Sequence, residues 1–245
     1  MRINVVNPNT TASMTAKIAA AAEAAATPGT EIRAVQPTEG PPSIEGYFDE
    51  ALSVPGLLSE IVAADRGGVD GHVIACFDDT GLDAARVIAR APVVGIGEAA
   101  AHLAALVAGR FSVVTTLSRS IPALEHNLVR YGLASRCARV RASEVPVLEL
   151  EEPGSAGRVR IAAEIALALR EDGAEAIVLG CAGMSHFAEE LSAEFGVPVV
   201  EGVAAAVRLV ESLAALGLRT SKIGAYAPPR AKAYSGPFAG LVTHA

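Results

Sequence analysis

Residues 69–101 read VDGHVIACFDDTGLDAARVIARAPVVGIGEAAA, and residues 174–206 read AEAIVLGCAGMSHFAEELSAEFGVPVVEGVAAA. Aligned with a short offset in the middle, they set Cys76 on Cys181 and follow each cysteine with a helix-like segment. Both then return to Pro-Val-Val, at 92–94 and 198–200, and run through glycine into an alanine-rich helix. Self-similarity of this kind marks a structural unit used twice. The match weakens upstream but continues: INVVNPNTT (3–11) and FSVVTTLSR (111–119) each run a strand into hydroxyl and amide side chains, setting Asn7 opposite Thr115.

Working outward, strand-length apolar runs alternate with alanine-rich stretches at helical spacing, which means βα units and a parallel sheet. The pattern predicts strands at 2–7, 31–36, 69–75, 93–96, 111–116, 138–142, 175–180 and 197–200. Between them it predicts helices near 11–26, 47–64, 81–90, 98–108, 120–131, 156–171, 184–195 and 203–216. Continuous apolar character at Val73-Ile74-Ala75 and Ile177-Val178-Leu179 fits strands covered by helices on both faces. The expected fold is α/β, with two pseudo-symmetric lobes, each a parallel sheet flanked by helices, and the site in the cleft between them. Lobe 1 is expected over 1–97 with the tail 215–245, and lobe 2 over 98–214. Two stretches lack the pattern. Residues 37–46 (PTEGPPSIEG) form a long Pro- and Gly-rich loop, which is either a lid or a rigid connector. The tail from Gly217, with Pro228-Pro229 and Gly236-Pro237, is expected to wrap the surface.

The 245 residues are long enough for one large domain or two lobes, and 51% hydrophobic with 19% charged is an ordinary globular balance. A net charge of −7 with scattered Arg and Lys supplies no basic stripe for nucleic acid. The start MRINVVNPNTT reads as neither a signal nor a transit peptide, and no run approaches the ~18 apolar residues of a membrane span. With 3 cysteines and no export signal, cytoplasmic thiols are expected rather than a disulfide framework.

Each paired cysteine lies just beyond an inner parallel strand, where open α/β sheets bind ligands. A lone cysteine there reads most simply as a small buried hydrophobe. Symmetric placement of two favours chemistry. Cys137, in SRCARV, has no repeat partner and reads as structural or merely exposed. Zinc-ligand spacing is absent: there is no C-x-x-C, no H-E-x-x-H and no His within three residues of either paired cysteine. His186 reads as a helix-surface or satisfied core residue. Opposed thiols suit proton transfer at carbon, one removing a proton from one face while the other returns one to the opposite face. Both cysteines are expected to enter helices, whose N-terminal field lowers a thiol pKa. Asp78 and Asp79 would favour a helix start yet oppose a thiolate at Cys76.

The combination of NPNTT (7–11), GPPSIEG (40–46), VIACFDDTGLDAAR (73–86), APVVGIGEAA (91–100) and EAIVLGCAGM (175–184) resembles the hydantoin racemases, within the aspartate/glutamate racemase superfamily. The resemblance runs to about residue 226. It implies cofactor-independent racemisation, without metal, by Cys76 and Cys181 as acid/base residues. It also implies substrate contacts from Asn7, Asn9, Phe77, Thr115, Thr116, Ala182, Gly183 and Met184, and a homo-oligomer. Amino-acid racemases of the glutamate type follow their cysteines with Asn-Thr and Thr-His, whereas this chain has Phe77 and Ala182-Gly183-Met184. Such an apolar setting suits a neutral ring better than a zwitterion.

The expected activity is therefore racemisation of 5-monosubstituted hydantoins at C5. Proton loss beside the ring carbonyl gives an enolate, for which Thr10, Thr11, Thr115 and Thr116 and the amides after each cysteine are candidate donors. Thr10 and Thr11 serve equally well as caps of the first helix. Allantoin racemase, acting on a 5-ureido hydantoin, is the nearest alternative. Decarboxylation of malonates and maleate isomerisation fit less well, and a two-lobe binding module would need no paired thiols.

Overall fold

The computed structural model describes residues 1–151 and 156–235. The expected tail segment with Gly236-Pro237, and the end of lobe 1 to residue 245, lie outside the described residues.

All eight expected strands form, in two four-stranded parallel sheets of identical order. The first contains β1 (Arg2–Val6), β2 (Glu31–Val35), β3 (Gly71–Ile74) and β4 (Val93–Gly95), arranged β2-β1-β3-β4. The second contains β5 (Phe111–Thr115), β6 (Cys137–Ala142), β7 (Ala176–Gly180) and β8 (Val199–Glu201), arranged β6-β5-β7-β8. Registers match as well as orders. Val6 pairs with Ile74 in one sheet and Val114 with Leu179 in the other, so the next residues along, Asn7 and Thr115, occupy equivalent positions, as do Cys76 and Cys181.

The helices are α1 (Ala12–Ala25), α2 (Tyr47–Arg66), α3 (Leu82–Ile88), α4 (Ile96–Val107), α5 (Ile121–Arg130), α6 (Gly157–Leu167), α7 (Ala188–Phe195) and α8 (Gly202–Ala215). Alternation along the inner strands decides their layering. Val6 and Ile74 face outward onto Leu57 and Ile61 of α2 and Leu82 and Ala85 of α3. Val114, Ile177 and Leu179 face outward onto Ile161 and Ile165 of α6 and Leu191 of α7. The opposite residues, Ile3, Val5 and Val73 of one sheet and Val113 and Val178 of the other, belong to one continuous core with Ile18 of α1, Ala100 and Ala104 of α4 and Val203 and Val207 of α8. Helices α4 and α8 thus touch strands of both sheets.

Three expectations change in detail. Residues 156–171 form α6 followed by a π-turn, Ala168–Asp172. Residues 184–195 divide into a 3₁₀ segment, Ala182–Phe187, and α7. The third concerns the cysteines, neither of which leads directly into an α-helix. Asp79 (φ 51°) and Gly81 (φ 69°) are left-handed, so residues 77–81 turn before α3 begins. Cys181 is the extended residue that opens the 3₁₀ segment. The tail packs beside α3, where Lys222 Nζ donates to the carbonyls of Arg86 (2.6 Å) and Val87 (3.1 Å), satisfying the end of that helix.

The starts of α4 and α8 meet at Gly202, where a Cβ would lie 2.6 Å from the Ile96 carbonyl oxygen and 2.8 Å from Ile96 Cβ. Because backbone cannot step aside, Gly202→Ala is expected to lower the unfolding free energy by about 1–3 kcal/mol in a urea titration. An unchanged midpoint would refute this account of the junction.

Candidate active site

The chain leaves β1, β3, β5 and β7 at one place, and the residues that follow line a common cavity of about 430 Å³, its mouth included. Asn7 and Asn9 come from the end of β1, Ala75, Cys76, Phe77 and Asp78 from β3, Thr115, Thr116 and Ser120 from β5, and Gly180, Cys181 and Ala182 from β7. Met14 of α1, Ile44 and Val147 complete the wall. Both repeat cysteines therefore open onto one space, and a charge on Cys181 acts on Cys76.

Cys76 is half-buried, and no disulfide joins the cysteines. Burial pushes its thiol well above the ordinary value, and the neighbouring Asp78 pushes it further. The Thr80 hydroxyl, 3.5 Å from Sγ, and the Asp78 backbone N–H oppose this by donating to the sulfur. These two local donors take the place of the helix N-terminus expected there. Cys137 stands apart from the cavity at the start of β6, its thiol raised to about 11 by burial.

Asp79 has a different task from Asp78. Its carboxylate turns away and accepts from the N–H groups of Gly97 (3.0 Å) and Glu98 (2.7 Å) at the start of α4, and from the Tyr131 hydroxyl (2.5 Å). It fills the space that a side chain at residue 95 would need, since a Cβ on Gly95 would lie 2.0 Å from Asp79 Oδ1. Burial nevertheless raises Asp79 to about 7. The turn after Cys76 is pinned to the middle helix layer by this one carboxyl group.

At the β1 end, Asn7 Nδ2 donates to Asn9 Oδ1 (2.9 Å) and Thr15 Oγ1 (3.0 Å), while Asn9 Oδ1 also accepts from the Thr11 N–H (2.9 Å). At the β5 end, the Thr115 hydroxyl donates to the Gly180 carbonyl (3.1 Å), immediately before Cys181. Its hydrogen is committed to fixing that strand end. Thr116 and Ser120 line the cavity with hydroxyls that no protein group among the described residues engages. Thr10 and Thr11 neither cap α1 through their side chains nor line the cavity. Their hydroxyls donate to the carbonyls of Pro41 (3.4 Å) and Pro42 (2.6 Å) instead.

Those bonds tie down the loop 37–46 as a strap across the cavity. Ile44, 8% exposed, points into the wall, and Glu45 Oε1 accepts from the Val147 N–H (2.9 Å) in the second half of the chain. Lys17 of α1 adds a bond to the Leu150 carbonyl (3.4 Å). The loop is thus an anchored strap.

Of the residues expected to meet substrate, Asn7, Asn9, Phe77, Thr115, Thr116 and Ala182 line the cavity with both cysteines. Gly183 and Met184 do not: Met184 is fully buried in the core behind β7, and a Cβ on Gly183 would lie 3.6 Å from Cys181 Sγ. Sequence reasoning missed Met14, Ile44, Ala75, Asp78, Ser120, Val147 and Gly180 as wall residues. The hydroxyl cluster after β5 carried a signal for Ser120. Ile44 and Val147 are brought in by tertiary contacts of irregular segments.

The fold and site define an α/β protein with two equivalent cysteines at one cavity, and comparison with known proteins gives its family. The model of the Asp/Glu/Hydantoin racemase family matches residues 3–210. A hydantoin racemase of Rhizobium meliloti is 50% identical over 236 residues, covering 96% of this chain and 98% of its own. Solved allantoin racemases align closely: that of Klebsiella pneumoniae has a TM-score of 0.96 and 54% identity, covering 98% of each chain. That of Pseudomonas fluorescens has a TM-score of 0.93 and 47% identity, covering 96% of this chain and 100% of its own. The chain belongs to the Asp/Glu/hydantoin racemase family and is an isomerase.

Its raised thiol makes Cys76 slow to ionise. In the Cys137→Ser, Cys181→Ser variant, iodoacetamide is expected to alkylate Cys76 sluggishly at pH 7 and about tenfold faster per pH unit up to at least pH 9. A plateau reached below pH 7 would contradict the environment described.

Proposed function

We propose that this protein racemises 5-monosubstituted hydantoins, with Cys76 and Cys181 as the acid/base pair. The observation that carries the reading is that both thiols, at equivalent ends of equivalent strands, line one cavity. In this reading the cavity is the cleft between a lobe of residues 1–97 with the tail from 215 and a lobe of residues 98–214. One thiolate takes the C5 proton, the electron pair delocalises into the adjacent carbonyl as an enolate, and the opposite thiol protonates C5 from the other face. Thr116, Ser120 and the Asn7–Asn9 pair supply polar contacts to the ring. Phe77, Met14, Ile44, Val147 and Ala182 give the substituent an apolar wall. Gly183 and Met184 act from behind, by seating Cys181.

No metal or organic cofactor enters this mechanism. The reading carries a cytoplasmic homo-oligomer with it. Among the described residues no helix is long and apolar enough to cross a membrane. Tyr47, Phe48 and Leu52 at the start of α2 are exposed, as an oligomer contact would require.

Allantoin is the second reading, favoured by 54% identity to an allantoin racemase and by the polar groups Asn7, Asn9, Asp78 and Ser120 in the wall. Polarimetry on single enantiomers of 5-benzylhydantoin, 5-isobutylhydantoin and allantoin separates the two. Run in D2O, the product is expected to carry deuterium at C5, and product without it excludes a deprotonated intermediate. Cys76→Ser and Cys181→Ser are each expected to lower the racemisation kcat by at least about 10²–10⁴-fold. Full activity in either variant would remove that residue from the mechanism.

A further inference from the structure

Asp78 lines the cavity two residues after Cys76, and α2 brings the Glu50 carboxyl within hydrogen-bond reach of it. Two carboxylates so placed repel each other, whereas one proton between them turns repulsion into a hydrogen bond. Glu50 Oε1 is buried, and no N–H or O–H donor among the described residues reaches it. A proton held by the pair supplies the missing donor. The charged groups acting on Asp78 are Glu50 from α2 and Asp79 from its own turn, both acidic. From α5, Asn127 engages the Asp78 backbone carbonyl (2.8 Å) and leaves the carboxyl group alone.

We propose that Asp78 and Glu50 share one proton in the cavity wall, so that Asp78 meets Cys76 as a neutral carboxyl group and serves as a positioning residue for the charge on that thiol. Burial and the Glu50 charge push Asp78 up to about 8, and burial pushes Glu50 up as well, both in the direction that keeps a proton at pH 7. The opposition of Asp78 to a thiolate at Cys76 is thereby relieved. This consequence for catalysis rests on Cys76 being an acid/base residue; the shared proton does not.

Infrared difference spectroscopy on the intact protein reads the proton directly, without substrate. At pH 7 the wild type is expected to show the carbonyl stretch of a protonated carboxylic acid, shifted in D2O, of which the part not supplied by Asp79 is lost in both Asp78→Asn and Glu50→Gln. In Glu50→Gln the side-chain amide donates to Asp78 and favours its ionised form. Alkylation of Cys76 at pH 7, in the Cys137→Ser, Cys181→Ser background, is then expected to slow about tenfold, the equivalent of one pKa unit. A wild-type spectrum without the band, or a Glu50→Gln protein with band and alkylation rate both unchanged, overturns the proposal. Loss of the band with an unchanged rate overturns the part played by Asp78 at Cys76. A wild-type spectrum without the band decides against the proposal even where a variant fails to fold. Racemisation failing on every hydantoin tested would refute the function while leaving the proton in place.

Discussion

The structure depends on one burial constraint: two sheets have apolar inner faces, and a single layer of helices covers both. Ile3, Val5 and Val73 on one side and Val113 and Val178 on the other pack against α1, α4 and α8 as a continuous core. Neither sheet can turn away without exposing that face to water, at about 25 cal/mol per Å². Holding the sheets across a shared layer brings the ends of β1, β3, β5 and β7 to one cavity. The two cysteines meet because the arrangement that keeps both inner faces dry sets these strand ends side by side.

The repeats solve one local problem with different residues. The helices after β4 and β8 each begin with backbone N–H groups that need an acceptor. At α8, Glu201 serves from the last position of its own strand, accepting from Val203 (2.8 Å) and Ala204 (2.5 Å). At α4 the equivalent strand position is Gly95, and Asp79 reaches in from the turn after Cys76 to accept from Gly97 and Glu98. The carboxyl group has moved from strand to turn, and Met184 packs in the core at the position corresponding to Asp79. In the first half, helix capping and the placement of the thiol are therefore one interaction. In the second, the thiol is seated by Thr115 on the Gly180 carbonyl and by the buried Met184.

This exchange explains what could be read in the sequence. The period of the inner strands is written in the chain, because Val73-Ile74 and Ile177-Val178-Leu179 are apolar on both faces, so both sheets and the equivalence of Asn7 with Thr115 follow from the repeat, whereas the strand order does not. The cysteines followed from the same alignment. Asp78 and Asp79 did not, since adjacent aspartates look alike in a sequence. Only the left-handed turn at Asp79 sends one carboxyl group to α4 and leaves the other in the cavity wall. Thr10 and Thr11 were ambiguous for a related reason. A threonine beside a helix start suits capping, but the carbonyls of Pro41 and Pro42, 31 residues away, compete for its hydroxyl and win. Ile44 and Val147 belong to segments without periodicity, and their meeting depends on the bond between Glu45 and the Val147 amide.

Burial of two thiols at one cavity also restricts the charge states of the site. A charge on Cys181 raises Cys76, so the cavity favours one thiolate over two. Under the proposed mechanism that is the working state, with a base on one side and an acid on the other. The near-symmetry of the strand ends keeps its two forms comparable in energy. The surroundings still differ, since Cys76 has Thr80 and Asp78 beside it whereas Cys181 is followed by Ala182 and Gly183. Any such tilt favours one form of the free enzyme. Enantiomers have equal free energies, so a tilt cannot make kcat/KM differ between the two directions. It can appear only as matched changes in kcat and KM, so an asymmetric pair of thiols remains compatible with racemisation.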